Sequence, residues 1–379
     1  MQHEAVEIDP RRGRVRVLDH GNGQEREVPY DRLVLALGSR SRRLGIPGEE
    51  ARNVFTLKDL GDGIRIRQFL DDGRPRRAVI IGAGYISLEV AEALRRRGVG
   101  TTLLYRGEVP YSGLEPEVGR LIVKALEENG VRYVPKVTPQ VLEGDEGEAH
   151  RVVTDVGVFE ADLFFVGVGV EPNVELARQA GIEIGETGGI AVDQGMRTSD
   201  PSIFAAGDCC EKYHRVIGRF VLAPLGDVAN KEGRVAGENA VGGDATFNGI
   251  VGASCVKVFD LEIGVAGVSE AVAQRLGFRT ISQVVETTSR VGIYPGAKPS
   301  LLKLVADACT GRLLGGSLVG TDGEARKVNA LAVALYNRMS LEEVAQLDLA
   351  YAPPFSSVLD PMLVAATLLQ RRVERPGKE

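Results

Sequence analysis

Residues 77–106 read RAVIIGAGYISLEVAEALRRRGVGTTLLYR. An apolar run ends in a glycine turn, an amphipathic helical stretch follows, and a second apolar run closes the segment, which makes a βαβ unit. Gly82 is placed to make the tight turn out of the first strand, and Gly84 to let the backbone approach a pyrophosphate. The N-terminus of the following helix then offers free N–H groups and a partial positive charge. The third position of the glycine pattern is Ser87, small enough for the helix to pack on the strand although not the usual glycine or alanine. Its setting between two strands gives the pattern its weight, so the segment reads as a dinucleotide site.

The second strand ends in Tyr105-Arg106. A carboxylate there would accept hydrogen bonds from ribose hydroxyls and select NAD. Arg106 suits a 2′-phosphate instead and leans toward NADPH, an inference that Glu108 nearby weakens; a solvated loop arginine is the alternative.

Around this unit lies a chain of 379 residues, enough for two or three domains at ~150 residues each. Glycine accounts for 47 residues, an excess that goes with tight turns and close backbone approaches to ligands. The formal net charge of −6 gives no electrostatic case for nucleic acid, and the arginine clusters at 11–14, 40–43 and 95–97 read as solvated faces. The opening MQHEAVEIDPRRGR has no apolar core for a signal peptide, and no later apolar stretch reaches the ~20 residues needed to span a bilayer. The 4 cysteines form neither a disulfide framework nor a zinc pattern, so no metal is expected and the cytoplasm is the expected location.

Residues 4–38 pattern as short strands that form a β-meander leading into a buried strand, and a helix is expected around 58–71. After the βαβ unit, HRVVTDVGVFEADLFFVGVGVEPN predicts two strands and a Gly-x-Gly turn, and GGIAVDQGMRTSDPSIFAAGDCC predicts another pair. A helix should follow APLGD at 223–227. From about 247 the pattern turns β-rich, with helices near 324–338 and 340–347, as in an α+β domain.

Several separated motifs resemble one family, the pyridine nucleotide-disulfide oxidoreductases, and within it the coenzyme A-disulfide reductase and NADH oxidase branch. YDRLVLALGSRSRRLGIPG resembles the strand and turn leaving the first FAD segment, and GAGYISLE the nicotinamide-nucleotide motif. GVGVEPN and TSDPSIFAAGDCCE resemble the return to the FAD domain, and IYPGAKPSLLKL with YAPPFSSVLDP the C-terminal interface domain. The resemblance implies an α/β, two-dinucleotide-domain flavoprotein with a C-terminal α+β dimerisation domain. Its segments would be 1–73 and 172–246 for FAD, 74–171 for NAD(P), and 247–379 for the dimer interface.

By resemblance, Asp208 hydrogen-bonds a ribityl hydroxyl of FAD, with Gly38, Gly169 and Gly207 in the turns beside the cofactors. Pro224 and Leu225 precede a helix whose N-terminus would stabilise the reduced, anionic flavin. Tyr85 resembles the gate that covers the flavin until nicotinamide arrives, with Ile86 beside it and Glu89 lining the pocket. Tyr294 and Tyr351 resemble the tyrosines that protonate or hydrogen-bond a departing thiolate, with packing as the rival role. No histidine lies beyond His214, which favours this tyrosine branch over one with a C-terminal histidine base.

Adjacent Cys209 and Cys210 invite a redox reading. Their Cα atoms lie ~3.8 Å apart across a trans peptide, whereas disulfides usually need about 4.4–6.8 Å, so packing is expected instead. Cys255 and Cys309 are expected to be buried in strands. The family's FAD glycine motif and the helix bearing its attacking cysteine have no counterpart in the sequence, so the first FAD unit reads as truncated. The expected activity is hydride transfer from NADH or NADPH to FAD and on to a small disulfide, a persulfide or oxygen, in a homodimer with neither nucleic acid nor membrane as partner. The alternatives are a thiol-independent flavoprotein reductase and a dinucleotide-binding dimer without turnover.

Overall fold

The computed structural model describes residues 2–111 and 113–374. Its Cα positions group into two compact units, one from residues up to Arg40 with Val170–Ile250, the other from Ser41–Gly169 with residues from Val251 onward.

In the second unit the glycine turn sits at the centre of a five-stranded parallel sheet. In spatial order its strands are Val54–Phe55, Leu163–Val166, Arg77–Ile81, Gly100–Tyr105 and Val131–Pro135. Ala78–Ile81 and Leu163–Val166 are buried on both faces. Unbroken apolar runs of this kind are what a parallel sheet requires, because crossover helices cover both of its sides. Helix Tyr85–Arg96 buries Leu88, Ala91 and Leu94 against the sheet. Its trailing arginines lie on the solvated side: Arg96 pairs with Glu92 at 2.6 Å and Arg97 with Asp71 at 2.7 Å. Helix Pro116–Glu128 completes the next crossover, burying Val118, Ile122 and Leu126.

The rest of that unit is α+β, as expected. Its antiparallel sheet runs Ser254–Val258, Leu261–Gly267, Leu313–Gly320, Pro299–Asp307, Thr280–Thr288 in spatial order. Val256, Val258, Phe259, Ile263 and Val319 belong to the same apolar cluster as Leu88, Leu103 and Ile122, so the parallel and antiparallel sheets share one core. Helices Val328–Tyr336 and Leu341–Ala345 fall where the pattern placed them. A further helix, Pro361–Gln370, begins at Asp360, whose carboxylate accepts from the Met362 N–H at 2.8 Å. Its Asp-Pro start is an N-cap and first-turn signature.

The first unit carries the meander His3–Asp9, Arg14–Asp19, Gln24–Pro29, whose solvent face is laced by pairs such as Arg16 with Glu25 at 2.6 Å. Strand Leu33–Leu35 pairs in parallel with Ile203–Ala205, and helix Gly226–Ala240 is long enough to bury Val228, Glu232 and Ala236 along one face.

Three expectations need correction. Residues 150–173 form four strands rather than two, because a turn at Asp155-Val156 and a break at Ala161-Asp162 divide the apolar run. In 188–210 only Ile203–Ala205 is a strand; Ile190 makes isolated bridges to Ile184 and Cys210. Cys255 and Cys309 are exposed. Cys255 lies on the edge strand Ser254–Val258, its thiol donating to the Ala325 carbonyl at 3.4 Å, and Cys309 lies in the turn after Pro299–Asp307, where its N–H donates to Asp307 Oδ1 at 2.9 Å.

Candidate functional site

Gly82 has φ +105°, and a Cβ there would lie 2.2 Å from the Gly167 carbonyl oxygen, so turn and neighbouring strand end touch through backbone alone. Gly84 is the N-cap of helix Tyr85–Arg96, with no side chain capping the helix and only open space where its Cβ would be. An uncapped helix start behind an open glycine is the geometry a phosphate needs: N–H donors are unspent and nothing blocks close approach. Ser87 takes the packing place of the usual third glycine, fully buried, its Oγ donating to the Gly167 carbonyl at 3.3 Å.

At the tip of Gly100–Tyr105, Arg106 is exposed and has no ion-pair partner among the described residues. Glu108, which the sequence set against it, is engaged by Lys136 at 3.3 Å. Glu89 is exposed on the helix; local desolvation raises its carboxyl pKa and the like charge of Glu92 adds to this. Ile86 is half-buried beside Tyr85, and Gly169 has φ +107°, its carbonyl accepting from the Arg42 N–H at 2.9 Å. The Tyr85 ring meets the Tyr111 ring edge-on, with centroids 6.3 Å apart.

In the other unit, the Gly207-Asp208 turn follows the buried strand Ile203–Ala205. Gly207 has φ +83° and Gly38 φ +65°, both in the region that favours glycine. Ser39 Oγ donates to Asp208 Oδ2 at 2.9 Å, holding one carboxylate oxygen in place. Beneath the turn lies an ion pair that the sequence did not reveal. Lys212 Nζ is 3.3 Å from Glu232 Oε2 and donates to the carbonyls of Gly207 at 2.5 Å and Cys210 at 2.8 Å, while Gly207 N–H donates to Glu232 at 2.9 Å. Burial pushes the Glu232 carboxyl up, and Lys212 opposes it. Helix Gly226–Ala240 starts at Leu225, next to Pro224, again with no side-chain cap, so its first N–H groups are open to a ligand.

Cys209 and Cys210 are free, fully buried thiols with their sulfurs 3.8 Å apart. The Cys210 hydrogen bond brings Cys209 down to about 7, and the same contact with burial pushes Cys210 up. They fill the core beside Ile190 and Ala205, which is the packing role expected of them.

His214, two residues beyond Lys212, is buried with no hydrogen-bond partner for Nδ1 among the described residues, and burial lowers its pKa to about 4. The unfolded chain takes up this proton near pH ~6.5 and the folded chain only near 4, so stability falls as pH drops through that window. By pH 5 the expected loss is about 2 kcal/mol. Urea unfolding of His214→Gln should show a correspondingly shallower decline between pH 6.5 and 5; an unchanged slope would count against it.

Tyr294 and Tyr351 are about 40% exposed, at 38% and 46%. The structure brings their two segments together through the Val291 N–H, which donates to the Pro353 carbonyl at 3.4 Å. No group of three or more His, Cys, Asp or Glu residues able to hold a metal occurs among the described residues. No helix among them is long and apolar enough to cross a membrane.

The nucleotide cradle and the Asp208 turn with its open helix start define the class, an NAD(P)H-dependent flavoprotein oxidoreductase. Residues 1–226 match the pyridine nucleotide-disulphide oxidoreductase family and residues 253–363 its dimerisation domain. The NAD(P)H coenzyme A polysulfide/persulfide reductase of Pyrococcus horikoshii is 37% identical over 368 residues, 97% of this chain and 81% of the relative. The NADH oxidase of Methanocaldococcus jannaschii is 31% identical, over 95% of this chain and 80% of the relative. The solved NAD-dependent persulfide reductase from A. fulgidus superposes with a TM-score of 0.94 at 38% identity, covering 97% of this chain and 68% of that one. The chain belongs to the pyridine nucleotide-disulphide oxidoreductase family.

Proposed function

We propose that the chain works as an NAD(P)H oxidoreductase of the coenzyme A-disulfide reductase and NADH oxidase kind, with NADPH its preferred donor and a small disulfide, a persulfide or oxygen its acceptor. The observation that carries this reading is the open, uncapped helix start behind Gly84, with Arg106 exposed at the end of the next strand and without an ion-pair partner among the described residues. When bound, the nicotinamide supplies a hydride and FAD passes the electron pair to the acceptor. The chain's own groups bind and orient. Gly82 and Gly84 with the helix N–H groups hold the pyrophosphate, Arg106 the 2′-phosphate, and Glu89 and Ile86 line the nicotinamide pocket behind Tyr85. Asp208, braced by Ser39, takes a ribityl hydroxyl between the Gly38 and Gly207 turns, and the helix starting after Pro224 and Leu225 favours negative charge at the flavin. Tyr294 and Tyr351 give protons or hydrogen bonds to a departing thiolate.

On this reading residues 1–73 and 172–246 serve FAD, 74–171 NAD(P) and 247–379 the interface of a homodimer. Ile293, Phe355, Val358 and Leu359 are each more than 60% exposed in that last segment, an apolar surface of the kind a second subunit covers. Four unpaired cysteines suit the reducing cytoplasm.

The test is an anaerobic titration of the FAD-incubated protein, following the visible flavin absorbance. NADPH should bleach it at lower concentration than NADH, and a flavin that neither nucleotide bleaches would overturn the reading. In Arg106→Glu the preference should move toward NADH by about tenfold or more, the worth of one hydrogen bond to a charged group. An unchanged NADPH to NADH ratio would remove Arg106 from the 2′-phosphate site.

A further inference from the structure

Tyr111 lies in the turn between strand Gly100–Tyr105 and helix Pro116–Glu128, with φ +59°. A non-glycine residue in the left-handed region is held there at a cost, so the surroundings must fasten it. Two contacts do so, and both lead to the nucleotide cradle. The Tyr111 N–H donates to the carbonyl of Ala83, the middle residue of the Gly82-Ala83-Gly84 turn, at 2.8 Å. Its ring packs edge-on against Tyr85 at an interplanar angle of 63°. Tyr111 also lines a cavity of about 140 Å³, together with Leu114, Ser254, Val265, Gly267 and Ser317, and Tyr85 is not among its lining residues.

We propose that Tyr111 is a positioning residue for Tyr85: the contact between the two rings holds the Tyr85 ring in the closed position, and nucleotide entry parts them, the cavity giving Tyr111 room to withdraw. The proposal rests on the reading of Tyr85 as the gate of the nicotinamide pocket. A gate held shut lowers apparent affinity by the fraction of time it is open, so releasing it tightens binding. An aromatic pair of this geometry corresponds to about threefold to tenfold in that equilibrium.

The experiment is direct binding of NADPH to the full chain, read from nicotinamide fluorescence sensitised by tyrosine. The sequence has no tryptophan, so the tyrosine donors are not masked. Tyr111→Gly removes the ring and suits the positive φ, so the turn is expected to keep its shape. That variant should bind NADPH about threefold to tenfold more tightly. Tyr111→Phe should match the wild type, because the contact is made by the ring. Tyr85→Leu should tighten binding as well, and adding Tyr111→Gly to it should change little, since the two act through one contact. Weaker or unchanged binding in Tyr111→Gly, or effects that add in full in the double variant, would overturn the proposal. Unchanged binding in Tyr85→Leu would instead overturn the gate reading, whatever Tyr111 does.

Discussion

Gly84→Val should lower affinity for NADPH by at least about 100-fold while costing the fold no more than about 1 kcal/mol. The two halves of that statement come from different observations. A Cβ at position 84 meets no atom within 4 Å and the backbone there has φ −78°, which valine adopts without strain. The stability cost is therefore limited to a poorer N-cap. The same open space is where a pyrophosphate would approach the helix N–H groups, and a branched side chain there would hold it off. Losing two hydrogen bonds to a charged group, each worth about 1.5–3 kcal/mol, gives the hundredfold or more. Gly82→Ala is the contrast. With φ +105° and a Cβ placed 2.2 Å from the Gly167 oxygen, it should damage folding and binding together. Thermal midpoints and NADPH dissociation constants for both variants separate the cases. If Gly84→Val binds NADPH as the wild type does, the cradle is not where the phosphates sit.

What the sequence made readable follows from the range of the interactions involved. The βαβ unit declares itself because its signals are local: unbroken apolar strands, glycines at fixed offsets, and a helix whose buried face recurs at Leu88, Ala91 and Leu94. The support beneath the sites is built from partners far apart in the chain. Ser39 lies 169 residues before the Asp208 that it orients, and no periodicity links them. Glu232 reads as one more charge on a solvated helix until Lys212 is found beside it, both buried. The standing of Glu108 was likewise open in the sequence, because Lys136, which engages it, sits just past strand Val131–Pro135. Tyr111 gave no signal at all. Its weight comes from a backbone bond to Ala83 and a ring contact across the turn.

Lys303 is the extreme case of this hidden support, and its removal should have the largest effect on stability. In IYPGAKPSLLKL it reads as the solvated residue of a strand, yet its side chain is only 5% exposed. From strand Pro299–Asp307 its ammonium reaches Glu115 at 2.9 Å, Glu270 at 3.2 Å and Glu117 at 3.4 Å. Glu115 also accepts the Glu270 N–H at 2.8 Å, and Glu270 accepts the Ser282 hydroxyl at 2.7 Å. Burial works hardest on Lys303 and would lower its pKa, but the carboxylates together raise it; for Glu270 burial works upward, and Ser282 and Lys303 together bring it down. The sign follows for both. The Lys303 contribution is complete below the ordinary lysine value of ~10.4 and lost as pH rises through the raised one; that of Glu270 is complete above ~4.3 and lost in acid. Lys303→Met at neutral pH leaves Glu115 buried beside two like charges without a cation, which should cost about 3–5 kcal/mol and lower the thermal midpoint by roughly 5 °C. Glu117 and Glu270 are 32% and 26% exposed and can turn to water, whereas Glu115, at 2%, cannot. Adding Glu115→Leu to Lys303→Met should therefore recover more than half of the loss, because an apolar pair removes the stranded charge. A double variant no more stable than Lys303→Met alone would mean that the ammonium's packing, and not its charge, holds the two sheets of this unit together.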